Sequence, residues 1–307
     1  MLDLDLPVAY YWPEFASGGK DRVTVSDVAT YSAGVPAIRQ QRIDQSIVND
    51  ARLMARLVER EPRVEEPRLI YGPFTLGWIL DELCVRTTGM EARELFRREI
   101  AEPLELDFGW GAAGVRDLAS VHHDDAFAAQ YDVFNLHERA LVRDIWANPI
   151  AFTKGEVQWN RRERQEAYIP AANGAGTARS IAKLYATLID DLYGRNGESG
   201  VIADSSSVQR AIDLKFREND ETLGFPFAYG YGGFRRRSRP RAGIDGDMFG
   251  HDGGGGSAHF AWPSAGIALS YTPNRLLDIG NADHRASSLI RALKGALEVT
   301  STERVAS

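Results

Sequence analysis

The sequence predicts an α+β fold, with helices filling the middle of the chain and short strands collecting toward its C-terminus. Apolar residues recur at helical spacing over residues 43–100 and again from Thr177. From Phe227 onward, short β-type runs replace that spacing. No linker-like segment separates the two regions. The helical stretch is therefore expected to be inserted before the final strands rather than to fold alone.

Helices are predicted wherever apolar residues lie three or four positions apart on one face. Proline and glycine mark their ends, because proline lacks an N–H and glycine readily adopts a left-handed backbone. The clearest helix opens at Thr177, a residue type that caps helix N-termini, and has Gly194 as its C-terminal signal. The predicted helices are residues 43–58, 74–88, 91–102 and 177–192.

Short strands are predicted at residues 229–234 and in a hairpin with arms at 258–262 and 267–272. Pro263 opens the turn of that hairpin, because its fixed φ suits the first central position of a β-turn. A final helix over residues 285–297 follows the strands.

The composition excludes several classes of partner. The 307 residues are 44% hydrophobic and 26% charged, as in soluble globular proteins with a packed core. The net charge of -7 argues against a nucleic acid or an anionic membrane as partner. No apolar run approaches the roughly 18 residues that span a bilayer. Residues 1–7 lack the basic and apolar regions of a signal peptide, so a cytoplasmic location is expected.

Three further features are expected to be structural. The single cysteine, Cys84, excludes an internal disulfide and lies beside Leu83 on a helical face, which favours a packed core position over a nucleophile. Adjacent histidines in residues 122–125 favour a solvated loop over a metal site. The arginine-rich residues 235–241 are expected to form an exposed hairpin tip, with a patch for an anion or a partner as the alternative.

Two segments have the residues for chemistry. Tyr71 stands at a turn before the helix predicted at 74–88, where its phenol could accept a proton if a cation lowered its pKa from about 10. A packed, hydrogen-bonded tyrosine is the alternative. Residues 249–257 place His251 among several glycines. The N–H groups of these glycines could face a reacting carbonyl. Alternatively, the conformational freedom of glycine could simply permit a tight bend. Neither segment alone decides between its alternatives.

Five ordered segments resemble the β-lactamase-related serine hydrolases, which include class C β-lactamases, penicillin-binding proteins and esterases. The first contains Leu-Asp-Leu-Asp-Leu-Pro, the second Thr-Val-Ser-Asp-Val, and the fourth Ile-Pro-Ala-Ala-Asn-Gly. In the third, Tyr71 begins the element that is Tyr-x-Asn in the family, and in the fifth His251 begins the element that is Lys-Thr-Gly. The segments are residues 2–15, 24–36, 71–78, 169–180 and 251–253.

The resemblance implies a β-lactamase/transpeptidase-like fold, in which helices flank an antiparallel sheet and a helical lobe is inserted. Residues 1–307 are then expected to form one domain. The mainly helical lobe is expected at about residues 37–215, and the last strands and final helix at about 225–307. By the same resemblance, the N-terminal strands and the nucleophile helix of the family are missing, so an exposed sheet edge and marginal solubility are expected.

The resemblance also assigns roles within the site. Tyr71 is the proton-transfer group, and His251 lines the pocket and hydrogen-bonds the substrate. Gly253 and Gly254 belong to the substrate-binding turn, with the N–H of Gly254 as one oxyanion-hole donor. Gly72-Pro73 stands in place of the family's x-Asn, which removes an amide that helps β-lactamases hold their substrate amide. His251 replaces a lysine that would pair with a β-lactam carboxylate. Both departures favour an esterase-type pocket for a small ester or amide, and no cofactor or metal ion is expected.

The family's nucleophile is the serine of a Ser-x-x-Lys element, in which a three-residue spacing puts the hydroxyl and the amine on one helix face. The element precedes the Leu-Asp-Leu-Asp stretch, which here begins at Leu2. The chain therefore has no expected nucleophile: either the start codon is assigned too late, or this is a truncated, inactive relative. A non-catalytic module that keeps the cleft for a ligand or partner is the alternative.

Two Ser-x-x-Lys matches elsewhere are expected to be ordinary surface. The match at residues 17–20 contains two glycines and should be a loop. The match at residues 180–183 is helical, but Lys183 points away from the apolar face and should be solvated. The substrate and the oligomeric state stay open.

Overall fold

The computed structural model describes residues 2–64, 68–111, 117–123, 125–148, 158–224, 226–236, 247–277 and 284–305. The helices are α1 (Val8–Tyr11), α2 (Val25–Ala29), α3 (Gln45–Val48), α4 (Ala51–Arg60), α5 (Thr75–Thr88), α6 (Ala92–Phe96), α7 (Asp125–Asn135), α8 (Ala140–Ala147), α9 (Arg162–Glu166), α10 (Ala178–Leu192), α11 (Ser205–Ile212) and α12 (Arg285–Val305). Short 3-10 segments occupy Pro13–Gly19, Gln158–Asn160 and Pro263–Ala265, and a π-helical turn occupies Arg97–Ala101. The strands are β1 (Phe108–Trp110), β2 (His122–His123), β3 (Gly174–Gly176), β4 (Leu214–Asn219), β5 (Pro226–Gly230), β6 (Arg235–Arg236), β7 (Phe249–Asp252), β8 (Ala258–Trp262), β9 (Ile267–Tyr271) and β10 (Arg275–Leu276).

The main sheet is antiparallel and follows chain order. Within the described residues it contains six strands, in the order β4-β5-β6-β7-β8-β9. Two small sheets stand apart from it, an antiparallel β1–β3 pair and a parallel β2–β10 pair. This arrangement confirms the predicted α+β class, with an antiparallel sheet flanked by helices. In the described residues β9 pairs with β8 alone and forms one edge of the sheet.

Helix α10 covers one face of the sheet. It begins where the Thr177 side chain accepts a hydrogen bond from the Ser180 N–H, which satisfies a free donor of the first turn. Its apolar side chains, including Tyr185 and Leu188, form a buried cluster with Phe249 of β7 and with β8. Burying this stripe is the main reason that the helix lies against the sheet.

A larger core lies in the helical part of the chain. It is centred on the buried aromatic rings of Trp12, Phe15 and Trp78, with Met54 and Val58 from α4 against them. Helices α4 and α5 lie side by side here. Each side chain in this cluster faces another apolar group, which holds α5 and the segment before it in place.

Two of the predicted helices are confirmed almost to the residue. The helix predicted at 74–88 is Thr75–Thr88, and Gly89 ends it with the left-handed φ of 76° expected of a C-terminal glycine. The helix predicted at 177–192 is Ala178–Leu192. Both depend on capping signals that lie next to the helix in sequence.

Two other predicted helices are interrupted. The helix predicted at 43–58 is wrong as a single element, because the Asp50 carboxylate accepts from the Leu53 N–H and starts a new helix there. The helix predicted at 91–102 begins as α6 and then widens into a π-helical turn over Arg97–Ala101. Apolar spacing alone shows neither break.

The C-terminal strands agree with the predictions in outline. The hairpin arms are Ala258–Trp262 and Ile267–Tyr271, joined by a 3-10 turn that starts at Pro263. The strand predicted at 229–234 is wrong in its bounds, because the chain turns after β5 and returns as β6. Of the predicted arginine-rich tip, residues 237–241 lie outside the described residues.

The predicted loop at residues 122–125 is wrong for its two histidines. His122 and His123 form β2, which pairs in parallel with β10, a partner too distant in sequence to be predicted. The His123 ring also packs against Phe127, with the ring centroids 5.5 Å apart. Asp124 lies outside the described residues. Across the part of the chain that is described, no group of three or more His, Cys, Asp or Glu residues is placed to hold a metal ion.

Cys84 is only partly buried on α5, rather than part of the buried core. Burial nevertheless raises the pKa of its thiol to about 11, so the reactive thiolate is scarce at neutral pH. Over the described residues, no helix combines the length and the apolar character needed to cross a bilayer.

Lys20 is buried, so the prediction of an ordinary surface lysine is wrong. Its ammonium donates to the backbone carbonyl oxygens of Glu59, at 2.9 Å, and Glu61, at 2.5 Å. It also lies 5.2 Å from the centre of the Phe15 ring. The lysine thereby satisfies carbonyls at the C-terminal end of α4, a role that residues 17–20 alone do not reveal. The loop prediction is confirmed, since Ser17 and Gly18 break the helical backbone.

Lys20 is expected to make folding stability depend on pH. Burial lowers its pKa from 10.5 to about 8, so between these values the unfolded chain binds the proton more strongly. Stability should therefore rise with pH across this interval, by at most about 1.4 kcal/mol per pH unit. Urea denaturation of the wild type and Lys20→Met from pH 7 to 10.5 measures the difference. A wild-type advantage that stays constant or shrinks over this range would contradict the assignment.

Candidate active site

Tyr71 is held from its backbone by a buried carboxylate. The Tyr71 N–H donates to Asp220 Oδ2 at 2.5 Å. The other oxygen of Asp220 accepts from the N–H groups of Thr222 and Leu223 and from the Thr222 hydroxyl. The loop after β4 is thus fastened to the segment that precedes α5, and residue 71 is fixed where the two meet.

Gly72 allows the chain to pass close to the preceding loop. A Cβ at this position would lie 2.5 Å from the carbonyl oxygen of Pro36 and 2.7 Å from its Cα, both of them backbone atoms. The Thr75 hydroxyl also donates to the Val35 carbonyl at 2.7 Å. Only glycine fits this approach without a backbone shift.

The Tyr71 ring lies at the centre of an aromatic cluster. The distances between ring centroids are 4.6 Å to Tyr31, 6.0 Å to Trp146, and 6.5 Å to both Phe227 and His251. Trp146 comes from α8, whereas Phe227 and His251 come from the sheet. The structure therefore brings the two predicted catalytic residues, Tyr71 and His251, into contact at the junction of the helical part and the sheet.

His251 stands near the end of β7, just before the glycine turn. Its Nδ1 lies 2.6 Å from the carbonyl oxygen of Asp252. The Gly253 N–H donates to the Ser257 carbonyl at 3.0 Å and closes the turn. Gly254 is exposed, and no acceptor among the described residues takes its N–H. Gly254 can therefore donate to a ligand, while Gly253 is already committed to the turn.

Arg235 brings a permanent positive charge to the cluster. Its guanidinium donates to Asp252 Oδ2 at 2.9 Å and lies 4.2 Å from the centre of the Phe227 ring. It belongs to β6, which pairs with β7 opposite Gly250. The ion pair and the cation–π contact fix its head group beside the aromatic side chains.

Tyr71 is a neutral phenol at physiological pH. Burial is the largest influence and raises its pKa, and the nearby Asp220 raises it further. Hydrogen bonding with Tyr31 and the charge of Arg235 act in the opposite direction but do not overcome burial. In this state Tyr71 is a hydrogen-bond donor rather than a proton acceptor.

Neither Ser-x-x-Lys match forms a nucleophile pair. Ser17 is exposed and donates to the Glu59 carbonyl, while Lys20 is buried against Glu59 and Glu61. In the other match Ser180 is buried, so the surface prediction is wrong for it, because its Oγ accepts from the Asp107 N–H at 2.8 Å. The match at 180–183 also ends in an exposed lysine, as predicted.

Three residues of the cluster escape prediction from the sequence: Tyr31, Asp220 and Arg235. Tyr31 lies inside the second family-like segment, but nothing local shows that its ring meets Tyr71. Asp220 follows a strand and resembles an ordinary turn residue. Arg235 opens an arginine run for which a solvated tip is the simplest interpretation.

The architecture agrees with comparisons to known proteins. The chain matches the family model described as Beta-lactamase over residues 1–294, and it therefore belongs to the β-lactamase family. Among curated proteins it is similar to esterase/beta-lactamase LipL of Mycobacterium tuberculosis (strain ATCC 25618 / H37Rv), with 31% identity over 291 residues. That match covers 90% of this chain and spans 64% of the length of the relative.

Solved structures give the same assignment. A penicillin-binding protein homolog from Caulobacter crescentus has a TM-score of 0.75 and 28% identity, covering 96% of this chain and 76% of that chain. A family VIII carboxylesterase has a TM-score of 0.78 and 26% identity, covering 95% of this chain and 76% of that one. The predicted family resemblance and fold are confirmed. The roles of Tyr71, His251, Gly253 and Gly254 stay predictions.

Substituting Gly72 is expected to destabilise the protein. Gly72→Ala should lower the free energy of unfolding by about 1–3 kcal/mol, because the added Cβ meets backbone atoms that cannot move aside. Gly295→Ala is the control: it lies in α12 with open space around it and should stabilise by about 0.5–1 kcal/mol. Urea denaturation measures both. Equal effects of the two substitutions would show that the approach to Pro36 does not constrain the site.

Proposed function

We propose that this chain forms the acyl-binding cleft of an esterase-type serine hydrolase that acts on small esters or amides. The observation that carries the proposal is the contact between Tyr71 and His251 beside the available N–H of Gly254. The names of two similar proteins, an esterase/beta-lactamase and a family VIII carboxylesterase, support the same class of substrate.

Each group has a role in this proposal. The Gly254 N–H donates to the substrate carbonyl oxygen, where negative charge develops as a tetrahedral intermediate forms. His251 lines the pocket and hydrogen-bonds the substrate. Tyr71 exchanges a proton with the nucleophile and the leaving group. Arg235 moderates the rise in the Tyr71 pKa but, being paired with Asp252, is not free to bind a substrate carboxylate.

We further propose that this polypeptide alone does not form an acyl-enzyme. In its two Ser-x-x-Lys matches, the side chains of Ser17, Lys20 and Ser180 are hydrogen-bonded to backbone groups, and Lys183 is exposed to solvent. Within the described residues, no ammonium group is among the main influences on the pKa of Tyr71, so none lowers that pKa toward neutral pH. The second candidate, a binding module that keeps the cleft for a ligand or partner, is favoured by this same observation. The two candidates differ in covalent chemistry, not in the cleft.

Covalent labelling tests the absence of a nucleophile. The chain is incubated with a fluorophosphonate and, separately, with a penicillin probe, and intact mass is measured. No added mass is expected. An adduct that maps to Ser17 or Ser180 would show that one of these matches is a nucleophile after all. Reading the coding DNA upstream of Met1 for an in-frame Ser-x-x-Lys tests whether a longer product is a complete hydrolase.

Non-covalent binding tests the cleft itself. An aryl methyl ketone, which keeps the carbonyl of an aryl ester but cannot be hydrolysed, is titrated while tryptophan fluorescence is followed, since Trp146 stacks on Tyr71. His251→Ala should weaken binding by about 2- to 10-fold through the lost hydrogen bond. His122→Ala, at an exposed histidine of β2, is the matched control and should bind like the wild type. Unchanged binding in His251→Ala, with folding verified by circular dichroism, would contradict the proposed site.

A further inference from the structure

The imidazole of His251 is oriented by the backbone of the next residue. Its Nδ1 lies 2.6 Å from the carbonyl oxygen of Asp252, which is within hydrogen-bond distance. A carbonyl oxygen has lone pairs and no proton, so it can only accept. The bond therefore requires the single proton of the neutral ring to lie on Nδ1, and Nε2 then carries the lone pair.

The residue that supplies this carbonyl is itself fixed. Asp252 pairs with Ala258 of β8 in the antiparallel register of the sheet. Its side chain belongs to an ion pair, in which Arg235 donates to Oδ2 at 2.9 Å. The Arg235 guanidinium in turn lies 4.2 Å from the centre of the Phe227 ring. The carbonyl that orients His251 is thus held by β8 through the backbone and by β6 through the side chain.

The neighbouring histidine has no comparable constraint on its proton. His259 stands directly opposite His251 across β7 and β8, and its Nδ1 lies 2.7 Å from the Ser270 hydroxyl. A hydroxyl both donates and accepts, so this contact suits either neutral form of the His259 ring. Burial also lowers the pKa of His259, which favours its neutral form. Of the two facing rings, His251 is therefore the one whose proton position is fixed by its partner.

Several ionisable groups in the described part of the chain surround the end of β7. The carboxylate of Asp252 favours a charged His251 ring, whereas the guanidinium of Arg235 and any charge on His259 oppose it. Burial raises the pKa of the nearby phenols, which are neutral and add no charge: Tyr71, Tyr185 and Tyr229.

We propose that His251 donates to the substrate carbonyl only when its ring is protonated. In the neutral ring the single proton is bonded to Asp252, and Nε2 presents a lone pair that repels a carbonyl oxygen. In the charged ring Nε2 gains a proton and donates, while Nδ1 keeps its bond to Asp252. The proposal rests on the function proposed for His251, and it makes carbonyl binding at this site depend on pH. A donor such as an amide N–H suits the neutral ring instead.

The position of the proton is measured without any ligand. Long-range proton–nitrogen NMR spectra of the full chain, with isotope-labelled histidine, distinguish a protonated ring nitrogen from one that carries a lone pair. At about pH 8, above the range in which histidine titrates, His251 should have its proton on Nδ1. His251→Gln removes its signals and so assigns them. Exposed His122 is the comparison and should show the mixture of neutral forms of free histidine. A proton on Nε2 of His251 would overturn the proposal.

The pH dependence is measured with the aryl methyl ketone. Wild-type affinity should rise by about 2- to 10-fold between about pH 8 and about pH 5, as Nε2 gains its proton. His251→Gln has an uncharged amide, so its affinity should stay constant over this range. His259→Asn is the matched control for the facing ring and should keep the wild-type pH dependence. Constant wild-type affinity, with binding still weakened by His251→Ala, would contradict the proposal.

The two measurements separate this inference from the proposed function. If the ketone binds at no pH, the proposed cleft fails, and the nitrogen spectra alone decide where the His251 proton lies. If the ketone binds but the spectra place the proton on Nε2, the cleft stands and the inference fails.

Discussion

The position of the candidate site depends on the buried carboxylate of Asp220. A carboxyl group that is removed from water needs hydrogen bonds that compensate for the lost solvent. Asp220 obtains them from backbone N–H groups of its own turn and from the N–H of Tyr71. The side chain thus joins the end of β4 to the start of α5, two elements that are far apart in sequence. The aromatic contacts around Tyr71 form where this attachment and the hydrogen bond from the Ile70 N–H to the Tyr31 carbonyl hold the chain.

The same carboxylate opposes ionisation of the residue it positions. Its charge raises the pKa of Tyr71, in addition to the larger effect of burial. Arg235 acts in the opposite direction, yet its guanidinium is already paired with Asp252 and packed on Phe227. The attachment that places Tyr71 therefore needs a further positive charge before the phenol can accept a proton. A permanent cation at the side of the cluster is a weaker substitute than an ammonium in direct contact with the hydroxyl.

Local signals in the sequence predict much of the fold, and long-range contacts explain what is missed. Gly89 and Thr177 define helix ends through bonds to residues within a turn or two, so their effects can be predicted. Asp50 is missed because apolar spacing continues across it while its side chain starts a new helix. Lys20 is mispredicted because its carbonyl partners belong to residues 59 and 61.

The residues of the candidate site also divide into those that sequence motifs predict and those that only tertiary contacts reveal. Tyr71 and His251 can be predicted because they stand at the positions of family motifs, and the structure does bring them together. Tyr31 cannot be predicted, since its significance comes from a left-handed backbone and from a ring contact that depends on the tertiary fold. Asp220 likewise acts through the backbone of a residue from another element. Motif matching finds the candidate reacting groups, whereas the groups that position them emerge only from the packing.

A neutral Tyr71 changes what the cleft does when no ammonium is near. Its phenol can donate a hydrogen bond, as can the Gly254 N–H, so both groups suit the carbonyl oxygen of the proposed substrate. In the proposed function, such an arrangement binds an ester or amide without activating it. Catalysis requires the same phenol to act as an acceptor, and that depends on a neighbouring ammonium lowering its pKa. In the proposed function, one charge beside Tyr71 therefore decides whether the site binds or reacts, while the hydrogen-bonding geometry serves both outcomes.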